Sequence, residues 1–174
     1  TGTRTKVLGK ENLYLTSAIH YDERSRVIQV RTQNLQGGLD ITATQYSYGG
    51  QPLLILTRTH NPGAQTPVQR ELVVATRNTY DELGRLLQID KKVNNPSAAW
   101  KRTAFYQYNT LGQMRRRRLG IQATAPHQAS LVYEYNIRGW LTGINKDYLR
   151  TTDNNAAIFG MDLCYDRDGL TGVN

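Results

Sequence analysis

The chain has few of the residues that build a thick dry interior or a covalent frame. Its 174 residues hold one cysteine, Cys164, with two phenylalanines, two tryptophans and two methionines. A single cysteine cannot close a disulfide within the chain and indicates no compartment. Apolar runs are short. Leu53-Leu54-Ile55-Leu56 and Ala156-Ala157-Ile158-Phe159 are strand-sized, far below the roughly 18 residues of a membrane-crossing helix, so no membrane span is expected. No signal-peptide pattern stands at the N-terminus. His20, His60 and His127 have no metal-ligand spacing, and Cys164 is remote from them in sequence, so neither metal nor cofactor is expected. The glycines match no phosphate loop or dinucleotide fingerprint, because they sit in hairpins and not before helices.

Tyrosine, glycine and basic residues are plentiful. There are 11 tyrosines, 15 glycines and 22 Lys/Arg against 14 Asp/Glu, a net charge of +8. Tyrosine suits a half-wet sheet face, where the ring packs and the hydroxyl still finds a partner. The charge fits either an acidic partner or a soluble surface.

The tyrosines recur in a fixed setting. Tyr80-Asp81-Glu82-Leu83-Gly84-Arg85 reads as strand, tight turn, strand. An Asx oxygen can accept the backbone N–H two residues on, and glycine supplies the positive φ that turns the chain back. Tyr108-Asn109 with Gly112, Tyr135-Asn136 with Gly139, and Tyr165-Asp166 with Gly169 repeat it. Tyr21-Asp22 carries Ser25 in place of glycine, and Tyr48-Gly49-Gly50 reads as a degenerate copy without the Asx. The tyrosines at 21, 48, 80, 108, 135 and 165 are separated by 27, 32, 28, 27 and 30 residues. A near-constant period in this range marks a tandem array.

Between the turns the residues alternate with the two-residue period of strands. Ser17, Ile19 and Tyr21 share a face, as do Ile28 and Val30, Tyr46 and Tyr48, Tyr106 and Tyr108, and Leu131, Tyr133 and Tyr135. Gln36 to Asp40, Thr59 to Pro67 and Asn94 to Ser97 read as connections, the prolines lying outside the sheet. The expected fold is all-β: one array over 1–174 of about six units, the first and last incomplete, forming a curved antiparallel meander of roughly ten to twelve strands. A single helical turn is allowed at 145–149 or 153–157. The absence of an initiating methionine and the stop inside a unit suggest a piece of a longer array.

Candidate chemistry is sparse. Arg115, Arg116, Arg117 and Arg118 alternate faces on a strand, with Arg115 and Arg117 together. They could bind phosphates or acidic polymers, or simply solvate a strand and discourage edge pairing. No recognised nucleic-acid fold accompanies them, so no specific nucleic acid is expected. Tyr133, Tyr135 and Trp140 could stack on sugar rings or belong to the repeat's own packing. Asp166 and Asp168 could be paired carboxylates, but Asp166 holds the turn position that Asn109 fills elsewhere, and an amide is no general acid or base.

The Tyr-Asx pair, kept in five copies with glycine in four, resembles the YD repeat of the Rhs family over about Tyr14 to Asn174. The segment Tyr135 to Asn145 looks especially like Rhs-type proteins of Bacteroidetes. The resemblance implies a sheet spiralling into a β-shell, as in Rhs toxins, insecticidal toxin-complex components and teneurins. In the toxins the shell encloses a C-terminal effector; in teneurins it belongs to a cell-surface adhesion receptor. It therefore implies a secreted or cell-surface structural segment, partnered by neighbouring repeats. The family's self-cleaving core motif has no match here, and neither does an effector domain, so no enzymatic activity is expected. The alternative is a carbohydrate or cell-surface binding module. Exposed sheet edges would favour self-association.

Overall fold

A computed structural model describes residues 1–120, 128–150, 157 and 159–165. Among them run twelve strands: β1 (Gly2–Lys6), β2 (Tyr14–Tyr21), β3 (Val27–Gln33), β4 (Leu39–Tyr46), β5 (Pro52–His60), β6 (Glu71–Tyr80), β7 (Leu86–Val93), β8 (Lys101–Tyr108), β9 (Met114–Leu119), β10 (Ala129–Tyr135), β11 (Leu141–Ile144) and β12 (Met161–Asp162). Their order in the sheet is their order in the chain. The protein is an all-β antiparallel meander, as the alternation predicts. Two helical turns interrupt it: α1 (Pro67–Arg70), which the sequence did not suggest, and α2 (Lys146–Arg150), which falls on the expected 145–149.

The chain divides into two compact units, one of Thr1–Thr79 with Asp90–Trp100, the other of Tyr80–Ile89 with the residues from Lys101 on. In the first, β1 to β6 pair in succession, for example Ile19 opposite Val30, Thr42 opposite Thr57 and Leu56 opposite Ala75. In the second, Tyr106, Arg117 and Leu131 stand opposite one another across β8, β9 and β10.

Neither unit has a dry core. Among the described residues only Ala104 and Ala129 are buried apolar side chains, and neither is fully sealed from solvent. The larger apolar side chains stay half-wet, which a single sheet of short-turn hairpins imposes. Stability must then come from cross-strand pairs, about 0.2–1 kcal/mol each, because one hairpin alone is marginal.

Four of the Tyr-ended strands, β2, β4, β8 and β10, slip register at their tyrosine. The shift falls between His20 and Tyr21, Gln45 and Tyr46, Gln107 and Tyr108, and Glu134 and Tyr135. An extra residue in the outgoing strand makes the bulge that follows such a turn. In β9 that extra residue is Arg115, because Tyr108 faces Met114 and Gln107 faces Arg116. Arg115 is exposed and opposite no partner. The simple alternation expected of the four arginines therefore begins only at Arg116.

The far ends of the hairpins use a second device. Asn94 and Asn145 adopt φ of 55° and 46°. Asn94 donates its N–H to the Val73 carbonyl and accepts the Val73 N–H on its side-chain oxygen, both at 2.8 Å. Asn145 does the same with Val132 at 2.8 and 2.7 Å. The expected connection at 36–40 is itself a tight turn that starts earlier: Asn34 Oδ1 accepts the Gly38 N–H at 2.8 Å. A Cβ at Gly38 would run into the His60 carbonyl, so only glycine fits.

Candidate functional site

The repeat-defining residues form one local structure, built by hydrogen bonds inside five-residue loops. Asp81 Oδ1 accepts the N–H of Leu83 and of Arg85 at 3.0 and 2.8 Å, and Oδ2 takes Arg85 Nε at 2.6 Å. Asp22 repeats this with the N–H of Arg24 and Arg26, both at 2.9 Å, and with Arg26 Nε at 2.7 Å. Asn109 Oδ1 accepts from Leu111 and Gln113, and Asn136 Oδ1 from Arg138 and Trp140. One oxygen does this work, so Asp and Asn interchange. The second side-chain atom then selects its partner. A carboxylate oxygen takes Arg26 or Arg85, whereas the amide of Asn109 donates to Gln113 Oε1 at 2.7 Å. Gly84, Gly112 and Gly139 close the turns at φ of 78°, 81° and 79°, and Ser25 does so at 61°.

The arginines set the charge of these turns. The Arg26 backbone N–H, and then its guanidinium, hold the Asp22 carboxyl below its ordinary value against the effect of burial. At Asp81 burial pushes upward, but the Arg85 backbone N–H and guanidinium prevail and the carboxyl is again lowered.

Four of the tyrosines tie a repeat to the one before it in the chain. Tyr46 donates its hydroxyl to the Val27 carbonyl at 2.9 Å, Tyr108 to Leu86 at 2.9 Å, Tyr135 to Met114 at 3.0 Å and Tyr165 to Leu141 at 3.0 Å. Each acceptor lies six residues beyond the tyrosine of the preceding motif, at Tyr21, Tyr80, Tyr108 and Tyr135 respectively. The turn arginine reaches the same ring: Arg26 lies 5.1 Å from the Tyr46 centroid and Arg85 4.7 Å from that of Tyr108. Burial, ahead of the neighbouring charges, raises the phenol pKa of Tyr108 and of Tyr135.

The second motif is not the degenerate copy expected at Tyr48. Its anchor is Tyr46, and Ser47 stands in the Asx position. The Gln51 N–H donates to Ser47 Oγ at 3.1 Å, the Ser47 hydroxyl donates to Gln51 Oε1, and Gly50 closes the turn at φ 90°. Tyr48 is 86% exposed at the tip, with Arg24 stacked 3.9 Å from its centroid. The spacings around this motif become 25 and 34. The signal that could have found it is Gln51, five residues after Tyr46, as Gln113 is five after Tyr108. Tyr165 is in place in the last copy; Asp166, Asp168 and Gly169 lie outside the described residues.

The candidate ligand residues fall into separate places. Trp140 sits in its turn with its ring 5.2 Å from Tyr165, tilted 53°, and Arg138 is 5.2 Å from its centroid. Trp140 is 45% exposed. Arg117 lies mid-sheet with its guanidinium 5.8 Å from the Tyr106 centroid. Tyr133 stands opposite Ile144. No hydrogen bond or ring contact joins the Trp140 group to the arginines of β9 among the described residues. His20 and His60 join no metal-ligating group there; His127 lies outside them. No helix among the described residues is long and apolar enough to cross a membrane.

Two features escaped the sequence. Lys146 is buried, its Nζ 2.9 Å from Asp162 Oδ1 and 3.7 Å from Glu134 Oε2, beside a cleft of about 440 Å³ lined by Tyr135, Asn136, Thr142 and Tyr165. Its stem crosses Gly143, where a Cβ would overlap it. This arrangement pins α2 and β12 to β10. The other is Trp100, which stands over β5 and β6 with Arg77 4.5 Å and Lys92 4.9 Å from its centroid. No protein-family model matches this chain, and no curated protein matches it.

Proposed function

We propose that the chain is a structural segment of a YD-repeat protein of the Rhs kind, a length of curved wall that in the full-length protein helps enclose a C-terminal effector. The observation that carries this reading is the phenol-to-carbonyl bond by which Tyr46, Tyr108, Tyr135 and Tyr165 each reach the motif before their own. Such a bond gives these four repeats equivalent partners and needs no thick core, as a wall requires. The segment performs no catalysis. It is secreted or displayed at the cell surface and pairs with neighbouring repeats. Strand β1, exposed along its whole length, is the edge through which it meets another repeat or a second copy.

The test is limited proteolysis of the complete natural polypeptide. The effector should resist cleavage in the wild type and become cleavable in Tyr108→Ala/Tyr135→Ala. An effector equally cleavable in both removes the reading. A second reading, a carbohydrate or cell-surface module, is favoured by the half-exposed Trp140 against Tyr165. Glycan-array binding that Trp140→Ala abolishes would support it, and an array without signal would end it.

A further inference from the structure

One face of the first unit is more apolar than a solvated sheet needs. Leu54 and Leu56 on β5 and Val73 and Ala75 on β6 share that face, Leu56 standing opposite Ala75. The segment after β7 folds back over them. It is held by the Asn94–Val73 exchange, by the Ser97 N–H on Asn95 Oδ1 at 2.9 Å and by Lys92 Nζ donating to the Pro96 carbonyl at 2.9 Å. Trp100 and Pro96 form the far wall. Between wall and sheet lies a groove of about 320 Å³, lined chiefly by apolar side chains.

A volume near the lower end of the usual ligand range, about 300–1,000 Å³, suits a molecule of roughly ten to fifteen non-hydrogen atoms. The rim sets its polarity. Arg77 is neutralised by Asp90 at 2.7 Å. Lys92 has no acidic partner among the described residues and keeps two ammonium N–H donors after the Pro96 carbonyl takes one. Apolar floor, aromatic wall and one uncompensated cation at the mouth define a single ligand chemistry.

We propose that this groove binds a small apolar monocarboxylate, its hydrocarbon or aryl body against Leu56, Ala75 and Trp100 and its carboxylate on Lys92. This activity is independent of the wall function proposed above. It gives the segment a binding capacity even where the sheet serves only as scaffold.

The chain has only two tryptophans, so Trp140→Phe leaves Trp100 as the sole reporter. In that background 4-phenylbutyrate is titrated against its neutral counterpart 4-phenylbutan-1-ol while Trp100 emission is followed. The acid should bind saturably, with a Kd of roughly 0.1–1 mM for a ligand of this size, and more tightly than the alcohol. Lys92→Met should weaken the acid roughly two- to fivefold, as loss of a half-exposed ion pair does, and leave the alcohol unchanged. Lys92→Arg should retain the preference. Ala75→Leu, which fills the groove without touching its rim, should abolish both. A linear unsaturable response, equal affinity for acid and alcohol in the parent, or binding retained in Ala75→Leu overturns the proposal. If the Lys92 variants lose their β circular dichroism, the acid-to-alcohol ratio in the parent decides alone.

Discussion

Replacing Tyr108 with phenylalanine isolates the bond on which the array reading rests. The substitution deletes one oxygen. The ring stays half-buried under Arg85, and the Leu86 carbonyl loses a donor 2.9 Å away. A neutral hydrogen bond of this kind contributes about 0.5–1.5 kcal/mol. For a chain of this length that lowers Tm by roughly 1–6 °C, at about 2–4 °C per kcal/mol. Tyr108→Ala also loses ring burial, about 2.5 kcal/mol for roughly 100 Å² removed from water, and the cation–π contact, about 0.5–1 kcal/mol. It should cost roughly 3–5 kcal/mol. Urea unfolding with an unchanged m-value measures both. Hydrogen exchange should show the loss of protection in β7 and β8 and not in β2 to β4. Tyr106 is the control: its hydroxyl makes no hydrogen bond in the chain among the described residues, so Tyr106→Phe should stay within about 0.5 kcal/mol. If Tyr108→Phe is as silent as Tyr106→Phe, the phenol bond does not hold the units together. The pH dependence has a definite sign. The Tyr108 phenol pKa is raised in the fold, so its contribution is complete below the ordinary tyrosine value near 10. It is lost as pH rises through the higher folded value, and Tyr108→Phe should flatten that alkaline loss.

Tyr46→Phe should cost about 0.5–1.5 kcal/mol in thermal melts, while Tyr48→Phe, at an exposed tip, should cost almost nothing; the reverse order would restore Tyr48 as the anchor. Asp81→Asn leaves Arg85 facing an amide and should lower Tm, and adding Arg85→Gln should recover it by recreating the Asn109–Gln113 pair. The Asp81 carboxyl is lowered in the fold, so its contribution is present above the ordinary carboxylate value and lost as pH falls below about 4; the Asn/Gln variant should not show that acid loss. Ser25→Gly relieves a left-handed serine at φ 61° and should stabilise the chain by about 0.5–1 kcal/mol after the entropic penalty of glycine, whereas Gly139→Ala should cost about 1–2 kcal/mol in the same melt.

The residues legible in advance act over short spans. Asp81, Asn109 and Asn136 bond to N–H groups two and four residues away, so a five-residue window contains the whole motif. Ser47 was missed because a hydroxyl stands in for the Asx oxygen, although Gln51 kept the pattern. Arg115 was put on the wrong footing because a bulge breaks the two-residue period without any residue type that announces it. Trp100 and Lys92 give no local sign: their groove needs the face of β5 and β6, 17 to 46 residues earlier in the chain.

By itself the sequence determined the class of fold, the reversals and their near-even spacing, because turn chemistry and alternation are matters of adjacent residues. The tertiary structure alone decided which tyrosine anchors the second unit, which carbonyl each phenol reaches across 19 to 24 residues, and where an apolar face is roofed by a tryptophan. Those outcomes depend on strand register, and register is set by bulges and facing strands acting together.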